Sequence, residues 1–550
     1  MMNTKISIII GPPGTGKTTT LSEWCARAAA RYGSDKVIVC SLTRTAAYHA
    51  ARSIELPYQQ FGTVHAFAYR ALGLPVLAEA KIDEWNVAYP QLALAAHGRV
   101  HTPDDGYLAP ENTTAGDQAK LEYTRLRTMD IPLYALEWQR TSIRGFAAQW
   151  NDWKAQNHYV DFVDLLDQAY AEVDMAPGEP SVIVGDEWQD IGALEHKLIM
   201  KWAEKAEHLV LAGDFAQALF RWRGTDPLLL QHLWEEHDSG RASLQQSYRL
   251  PRAVYAYALT WQNRFKFTRK LEFNPRKDAY NKEVMGEVLH GAPAFGTVTR
   301  HEVEQLLMPF LDKGKSVLVQ ATCGYMLEPV IRVLREMGIP FGNSLRPSNG
   351  KWNPLPQKRG RGYTIVDRVL AFSKPRVDLW GESAAFWTAD QVKAWASALP
   401  VTGIFSRGGH AAIQSLHENS TDVALSDAFM QWFTEEALSH IVPKPDLAWY
   451  LQHVKGSDTL RAYVGAVIER AGVQKLQEKP LIQIGTVHSI KGGEADVVWL
   501  SPDMSLEASA AARKDPEAAE EIRRVFYVGV TRARETLMLA QPGTRNAIRW

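Results

Sequence analysis

Residues Gly11, Pro12, Pro13, Gly14, Thr15, Gly16, Lys17 and Thr18 read GPPGTGKT, with the spacing G-x-x-x-x-G-K-[ST]. That spacing suits the wrapping of a polyphosphate. Glycines let the backbone approach an anion closely, and the N–H groups of the turn and of a following helix point at it. Lys17 is placed to neutralise β- and γ-phosphates, and Thr18 to offer its hydroxyl to Mg2+. A second group lies in Ser181–Asp190, SVIVGDEWQD. Its apolar run ends in Asp186 and Glu187, at the strand edge where ligands sit in open α/β sheets. Asp186 suits a Mg2+ contact, and Glu187 suits a general base that activates water against the γ-phosphate. The plainer alternatives are a chance glycine-rich turn and a solvated acidic loop. The strand before Gly11, the helix after it and the presence of both groups in one chain disfavour them.

Positioning these groups requires a parallel sheet. Ile6–Ile10 is apolar but for Ser7, rich in Ile, and reads as a buried strand. A helix follows from Lys17 to about Ala30, and Gly33 is placed to stop it. Further buried strands are expected at Val37–Ser41, Val182–Gly185, Leu209–Ala212, Val317–Gln320, Val497–Leu500 and Leu537–Leu539. Helical patterns such as 193–206 and 326–338 lie between them. Short apolar strands alternating with helices predict an α/β fold of βαβ units. Two stretches interrupt the alternation. Residues 74–160 are rich in Trp, Tyr, His and Ala and include a loop-like segment, His101–Asp117; residues 345–480 open with Arg346–Gly362, dense in Pro, Gly, Arg and Lys. Both read as inserted, largely helical subdomains.

A chain of 550 residues is too long for one domain. Lys+Arg 61 against Asp+Glu 62 leaves a net charge of -1, so a polyanion must be held by a local stripe or groove. Cys25, Cys40 and Cys323 form no CxxC pair, which argues against a zinc ribbon, iron–sulfur cluster or disulfide framework. No stretch approaches the length of a spanning helix. A soluble, cytoplasmic protein without membrane contact is expected.

Further segments narrow the reading. They are SLTRTAA at 41–47, FGTVHAFAYRAL at 61–72, DFVDLL at 161–166 and LAGDFAQALFRWRGT at 211–225. LQQSYRL at 244–250, IGTVHSIKGGEADVVWL at 484–500 and EIRRVFYVGVTRARETLML at 521–539 complete the set. In order and content they resemble the UvrD/Rep/PcrA family of superfamily 1 DNA helicases, from Gly11 to about Leu539. The resemblance implies two RecA-like P-loop cores with ATP between them. The first core would be 1–73 with 161–260, the second 261–344 with 481–550, and 74–160 and 345–480 the accessory insertions. It implies an ATP hydrolase that steps 3′ to 5′ on single-stranded DNA and unwinds forked DNA.

The resemblance also implies roles. Gln217 is similar to the γ-phosphate sensor, and Arg249 and Arg532 to the two arginines that reach the γ-phosphate. Guanidinium forks suit that task because they pair with the equatorial oxygens during transfer. Tyr248 is similar to the tyrosine stacked on adenine, Glu494 to the ribose-contacting glutamate, and Gln189 to a residue coupling nucleotide and cleft. Phe220 and Trp222, with Arg223 beside them, are the base-stacking candidates, since aromatic faces accept any base for ~1–3 kcal/mol each. Packing in a core is the alternative for that pair. Thr63, His65, Thr486 and His488 resemble phosphate-backbone contacts, as do Arg44 and Lys491 less closely.

The chain departs from the family pattern in places. Only ten residues precede Gly11, so the upstream glutamine segment is absent, and Thr19 stands where an arginine is usual near the base. Base selectivity is therefore open. Trp188, Leu42 and Gly493 replace a different aromatic residue, a phenylalanine and a leucine respectively. The second insertion is shorter than in the well-known members, and no C-terminal interaction tail or appended nuclease domain is expected after the last motif. Other classes remain to be weighed: a translocase that strips proteins or drives a partner complex, a small-molecule P-loop kinase, and a nucleotide switch without catalysis. The paired arginines and intact Lys17, Asp186, Glu187 and Gln217 disfavour the last two.

Overall fold

The computed structural model describes residues 4–41, 56–95, 114–132, 134–135, 143–237, 239–347, 349–355, 362–373, 387–416, 427–442 and 444–550. Leu42 and Arg44 lie outside these residues. The fold is α/β, with two six-stranded sheets. The first contains β1 (Lys5–Ile10), β2 (Val37–Ser41), β3 (Phe61–Gly62), β4 (Val182–Asp186), β5 (His208–Gly213) and β6 (Arg241–Ser243). Its order is β3-β2-β4-β5-β1-β6, and its strands pair parallel. The second contains β7 (Glu287–Ala292), β8 (Val317–Ala321), β9 (Phe341–Gly342), β10 (Ile482–Thr486), β11 (Ala495–Leu500) and β12 (Ala533–Ala540). Its order is β7-β12-β11-β8-β10-β9.

The first sheet shows why its strands are apolar throughout. Alternate residues point to opposite faces. Ile8, Ile10, Ile38, Ile183, Leu209 and Leu211 pack on one side against Leu194, Leu198 and Trp202 of the helix Ala193–Ala203. Ile9, Val37, Val39, Val184 and Val210 pack on the other against Leu21, Cys25 and Ala28 of the helix Lys17–Tyr32. With both faces covered, the strands show no amphipathic alternation.

The stretch 74–160 contributes the helices Ile82–Ala88, Ala115–Thr128 and Arg144–Asn157 around a core of Trp85, Tyr123, Phe146, Trp150 and Trp153. Residues 115–117, read from sequence as loop, form the first turn of a helix: Thr114 and Asp117 make a reciprocal capping box. The stretch 345–480 is also helical, with Phe372, Trp387, Trp395, Phe433 and Tyr450 packed ring on ring. By contact density the chain forms two compact units. One comprises Met1–Ala292, Gln320–Gly324 and Thr486–Trp550, the other Pro293–Val319 and Tyr325–Gly485.

Candidate nucleotide and nucleic-acid site

The phosphate loop joins β1 to the helix Lys17–Tyr32. Two of its glycines are needed for shape. Gly14 and Gly16 have φ of 72° and 82°, in the left-handed region. A Cβ on Gly14 would lie 2.4 Å from the Cβ of Arg249. The buried Thr15 hydroxyl donates to the Pro12 carbonyl at 2.8 Å, holding the turn. Lys17 folds back on its own loop, its Nζ donating to the Gly11 carbonyl at 2.6 Å. Thr18 and Thr19 are exposed in the first helical turn.

Opposite the loop, β4 ends in Asp186, and Glu187 turns the chain with φ 54°. Asp186 Oδ1 accepts from the Glu187 N–H at 2.9 Å, and Gln189 Nε2 donates to Glu187 Oε2 at 2.7 Å. Burial, reinforced by the neighbouring Glu187 charge, pushes the Asp186 carboxyl up to about 7. Burial acts the same way on Glu187, but Lys491 and Lys17 outweigh it and bring that group down to about 2. Ser41, the register partner of Asp186 on β2, has a buried hydroxyl with no hydrogen-bond partner. A buried carboxyl short of partners beside an orphaned hydroxyl fits a hard cation with oxygen ligands. Asp186 and Thr18 are the residues that would hold Mg2+.

The residues expected at the γ-phosphate gather in the same compact unit. Gln217 Nε2 donates to Asp214 at 2.6 Å, and its Oε1 accepts from Arg532 Nη2 at 2.7 Å. Arg532 is buried and donates to the Val528 carbonyl at 3.1 Å. Burial, then the nearby Arg249 charge, lowers its guanidinium to about 9. Arg249 Nε pairs with Glu494 Oε2 at 2.6 Å. Tyr248 is 68% exposed, its ring 3.8 Å from where a Cβ on Gly16 would stand. The segment carrying Tyr248 and Arg249 is stitched to the phosphate loop. Ser247 Oγ donates to the Pro13 carbonyl at 2.9 Å and accepts from the N–H groups of Arg249 and Leu250. The Tyr248 N–H donates to the Gly14 carbonyl at 2.7 Å.

The strand-side candidates are placed differently. Thr63 caps the helix Val64–Ala71, accepting from the Ala66 N–H at 3.2 Å. His65 Nδ1 lies 3.1 Å from the buried Glu195 carboxylate. Thr486 is buried and its hydroxyl accepts from the Ser489 N–H at 3.2 Å. His488 is buried, and burial followed by the Lys491 charge lowers its imidazole to about 4. Phe220 is only 2% exposed, its ring 6.2 Å from that of His488. It packs as a core residue in this state and offers no open face to a base. Trp222 and Arg223 are half-buried, with Arg223 over the Phe220 ring at 5.6 Å. Lys491, read as a backbone contact, instead pairs with Asp190 and Glu187.

Residues 1–222 match an AAA domain family, and residues 458–541 match the UvrD-like helicase C-terminal domain. The ATP-dependent DNA helicase UvrD2 of Mycobacterium tuberculosis is 23% identical, over 98% of this chain and 77% of its own length. The ATP-dependent DNA helicase PcrA of Bacillus subtilis is 22% identical, over 71% of this chain and 59% of its own length. Together these matches support a UvrD-like superfamily 1 helicase.

Four residues of this site were not singled out by the motif strings. Asp190 and Asp214 are buried acids tied to Lys491 and Gln217, Ser247 docks the arginine segment, and Ser41 faces Asp186. The sequence carries some signal for the two acids, since each lies one to five residues from a motif residue. Nothing marks the two serines before the chain is folded. No helix among the described residues is long and apolar enough to cross a membrane.

Proposed function

We propose that this chain uses ATP hydrolysis to travel 3′ to 5′ along single-stranded DNA and to open the duplex at a fork. The observation that supports this reading is a phosphate loop docked to Ser247 and Tyr248, with Arg249 beside Gly14, Lys17 and Arg532 acting on the Glu187 charge, and Arg532 bonded to Gln217. In it the cores are 1–73 with 161–260 and 261–344 with 481–550, and 74–160 and 345–480 are accessory subdomains. Lys17 leaves the Gly11 carbonyl for the β- and γ-phosphate oxygens. Thr18 and Asp186 would hold Mg2+, which would supply charge neutralisation at the phosphates. Glu187 takes the proton of the attacking water. The Arg532 and Arg249 guanidinium groups meet the charge that develops on the transferring phosphoryl group. Gln217, already bonded to Arg532, reports the phosphate state to the Phe220–Arg223 segment that begins three residues later. Tyr248 stacks on the base, and Glu494 meets the ribose once Arg249 releases it. Trp222, Arg223, Thr63, His65, Thr486 and His488 line the path of the strand.

The test is steady-state ATP hydrolysis with and without single-stranded DNA, GTP as parallel substrate, followed by strand displacement on 3′- and 5′-tailed duplexes. Strong stimulation and displacement from the 3′ tail are expected. Stimulation without displacement would leave a translocase that clears proteins or drives a partner complex. Hydrolysis indifferent to DNA and RNA would overturn the motor reading.

A further inference from the structure

Lys491 stands where the nucleotide and strand sides meet. Its Nζ is paired with Asp190, lies 3.3 Å from Glu187 Oε2 and donates to the Gln217 carbonyl at 2.7 Å. The same ammonium lies 5.5 Å from the centre of the Phe220 ring, which also neighbours His488 in Lys491's own turn. One half-buried cation therefore touches the acid expected to activate water, the carbonyl of the phosphate sensor and an aromatic residue of the strand segment. A carboxylate oxygen occupied by an ammonium is not open to the attacking water. Gly492 follows directly, with φ 90° and open space around its Cβ position, so no packing pins the turn on that side. A nucleic-acid backbone reaching this turn brings several phosphates to compete for the ammonium.

We propose that Lys491 is a strand-responsive latch: without nucleic acid it engages Glu187 and keeps hydrolysis slow, and strand phosphates draw it away. Lys491 is thus a positioning residue that acts through Glu187, and the inference rests on Glu187 being the base proposed above. When the latch opens, the Glu187 carboxylate is free to accept the proton of the attacking water.

The experiment is ATP hydrolysis by full-length wild type, Lys491→Met and Lys491→Arg, each with and without oligo-dT. The methionine variant should raise the strand-free rate about tenfold, with the stimulation ratio falling by the same factor. The arginine variant, which restores the charge, should keep the strand-free rate low. A purely structural role would lower both rates together. A strand-free rate in Lys491→Met that falls or stays level while stimulation persists overturns the latch. Lys491→Gln reads the same point where the methionine variant does not fold. A wild type whose hydrolysis ignores the strand removes the motor reading itself, an outcome visible before any variant is compared.

Discussion

Asp161 and Asp186 are both buried carboxylates beside cations, and the fold treats them in opposite ways. Asp161 starts the helix Phe162–Glu172 and accepts from the N–H groups of Val163 and Asp164, from Trp150 Nε1 at 2.8 Å and from Lys154 Nζ at 2.7 Å. Burial would raise its carboxyl, but Lys120, Lys154 and Arg127 hold it well below the usual carboxylate range. Around it Lys120 pairs with Glu79 at 2.9 Å, and Arg127 reaches Asp164 at 3.3 Å. This cluster ties the helices Ala115–Thr128 and Arg144–Asn157 to the helix Phe162–Glu172, and donors surround the Asp161 carboxylate itself. Asp186 accepts from one neighbouring N–H and is pushed towards protonation. The lesson is that burial plus charge does not identify a site. What separates the two is the unfilled hydrogen-bonding capacity of the carboxylate itself, since leaving it unfilled costs stability that a ligand could return.

This contrast can be broken or sharpened by experiment. The largest effect expected is from Lys17→Ala, which should cut ATP hydrolysis by about a thousandfold or more while leaving the unfolding midpoint unchanged. Retained turnover would remove the phosphate-loop assignment. Glu187→Gln should bind nucleotide as wild type does and turn over ~100- to 1,000-fold more slowly, in a binding titration set beside a rate measurement. In the other cluster, Lys154→Ala should destabilise the fold by about 3–5 kcal/mol in denaturant unfolding, since it strands the buried Asp161 charge. Asp186→Asn without Mg2+ should cost nothing or stabilise, and a loss equal to that of Lys154→Ala would erase the distinction between the clusters. The smallest effect concerns pH. The folded-state value of Asp186 lies above its unfolded value, so its contribution is fully present below about 3.8 and is lost as pH rises through about 7. A metal must displace that proton, so Mn2+ titrated in place of Mg2+ should bind up to about tenfold more tightly at pH 8 than at pH 6. Equal affinity at both would mean that Asp186 does not meet the ion.

Much of the first sheet was legible because β1, β2, β4 and β5 are covered on both faces and carry apolar residues at most positions, with the polar ones mainly at the strand ends. The strands that escaped notice are short or exposed. β3 and β9 have two residues each, β6 has three, and β7 (EVLHGA) is exposed along most of its length. β10 (IQIGT) hides its character behind Gln483 and Gly485. For the site, the motif strings placed Lys17, Asp186, Glu187, Gln217 and Arg532 in one neighbourhood. What they could not reveal is pairing across the chain. Lys491 meets Asp190 only because a turn more than 300 residues away folds back onto it. Phe220 looked like a stacking platform because spacing reports local periodicity, not what later covers a ring; in the structure His488 and Lys491 lie beside it.

The bonds from Ser247 to the Pro13 carbonyl and from Tyr248 to the Gly14 carbonyl have one more consequence. They hold the backbone of Tyr248 against the phosphate loop, so the base platform and the phosphate grip proposed above would move as one piece. A nucleotide would then be measured by the span from its planar base to its terminal phosphates, and the edge of the base would go unread.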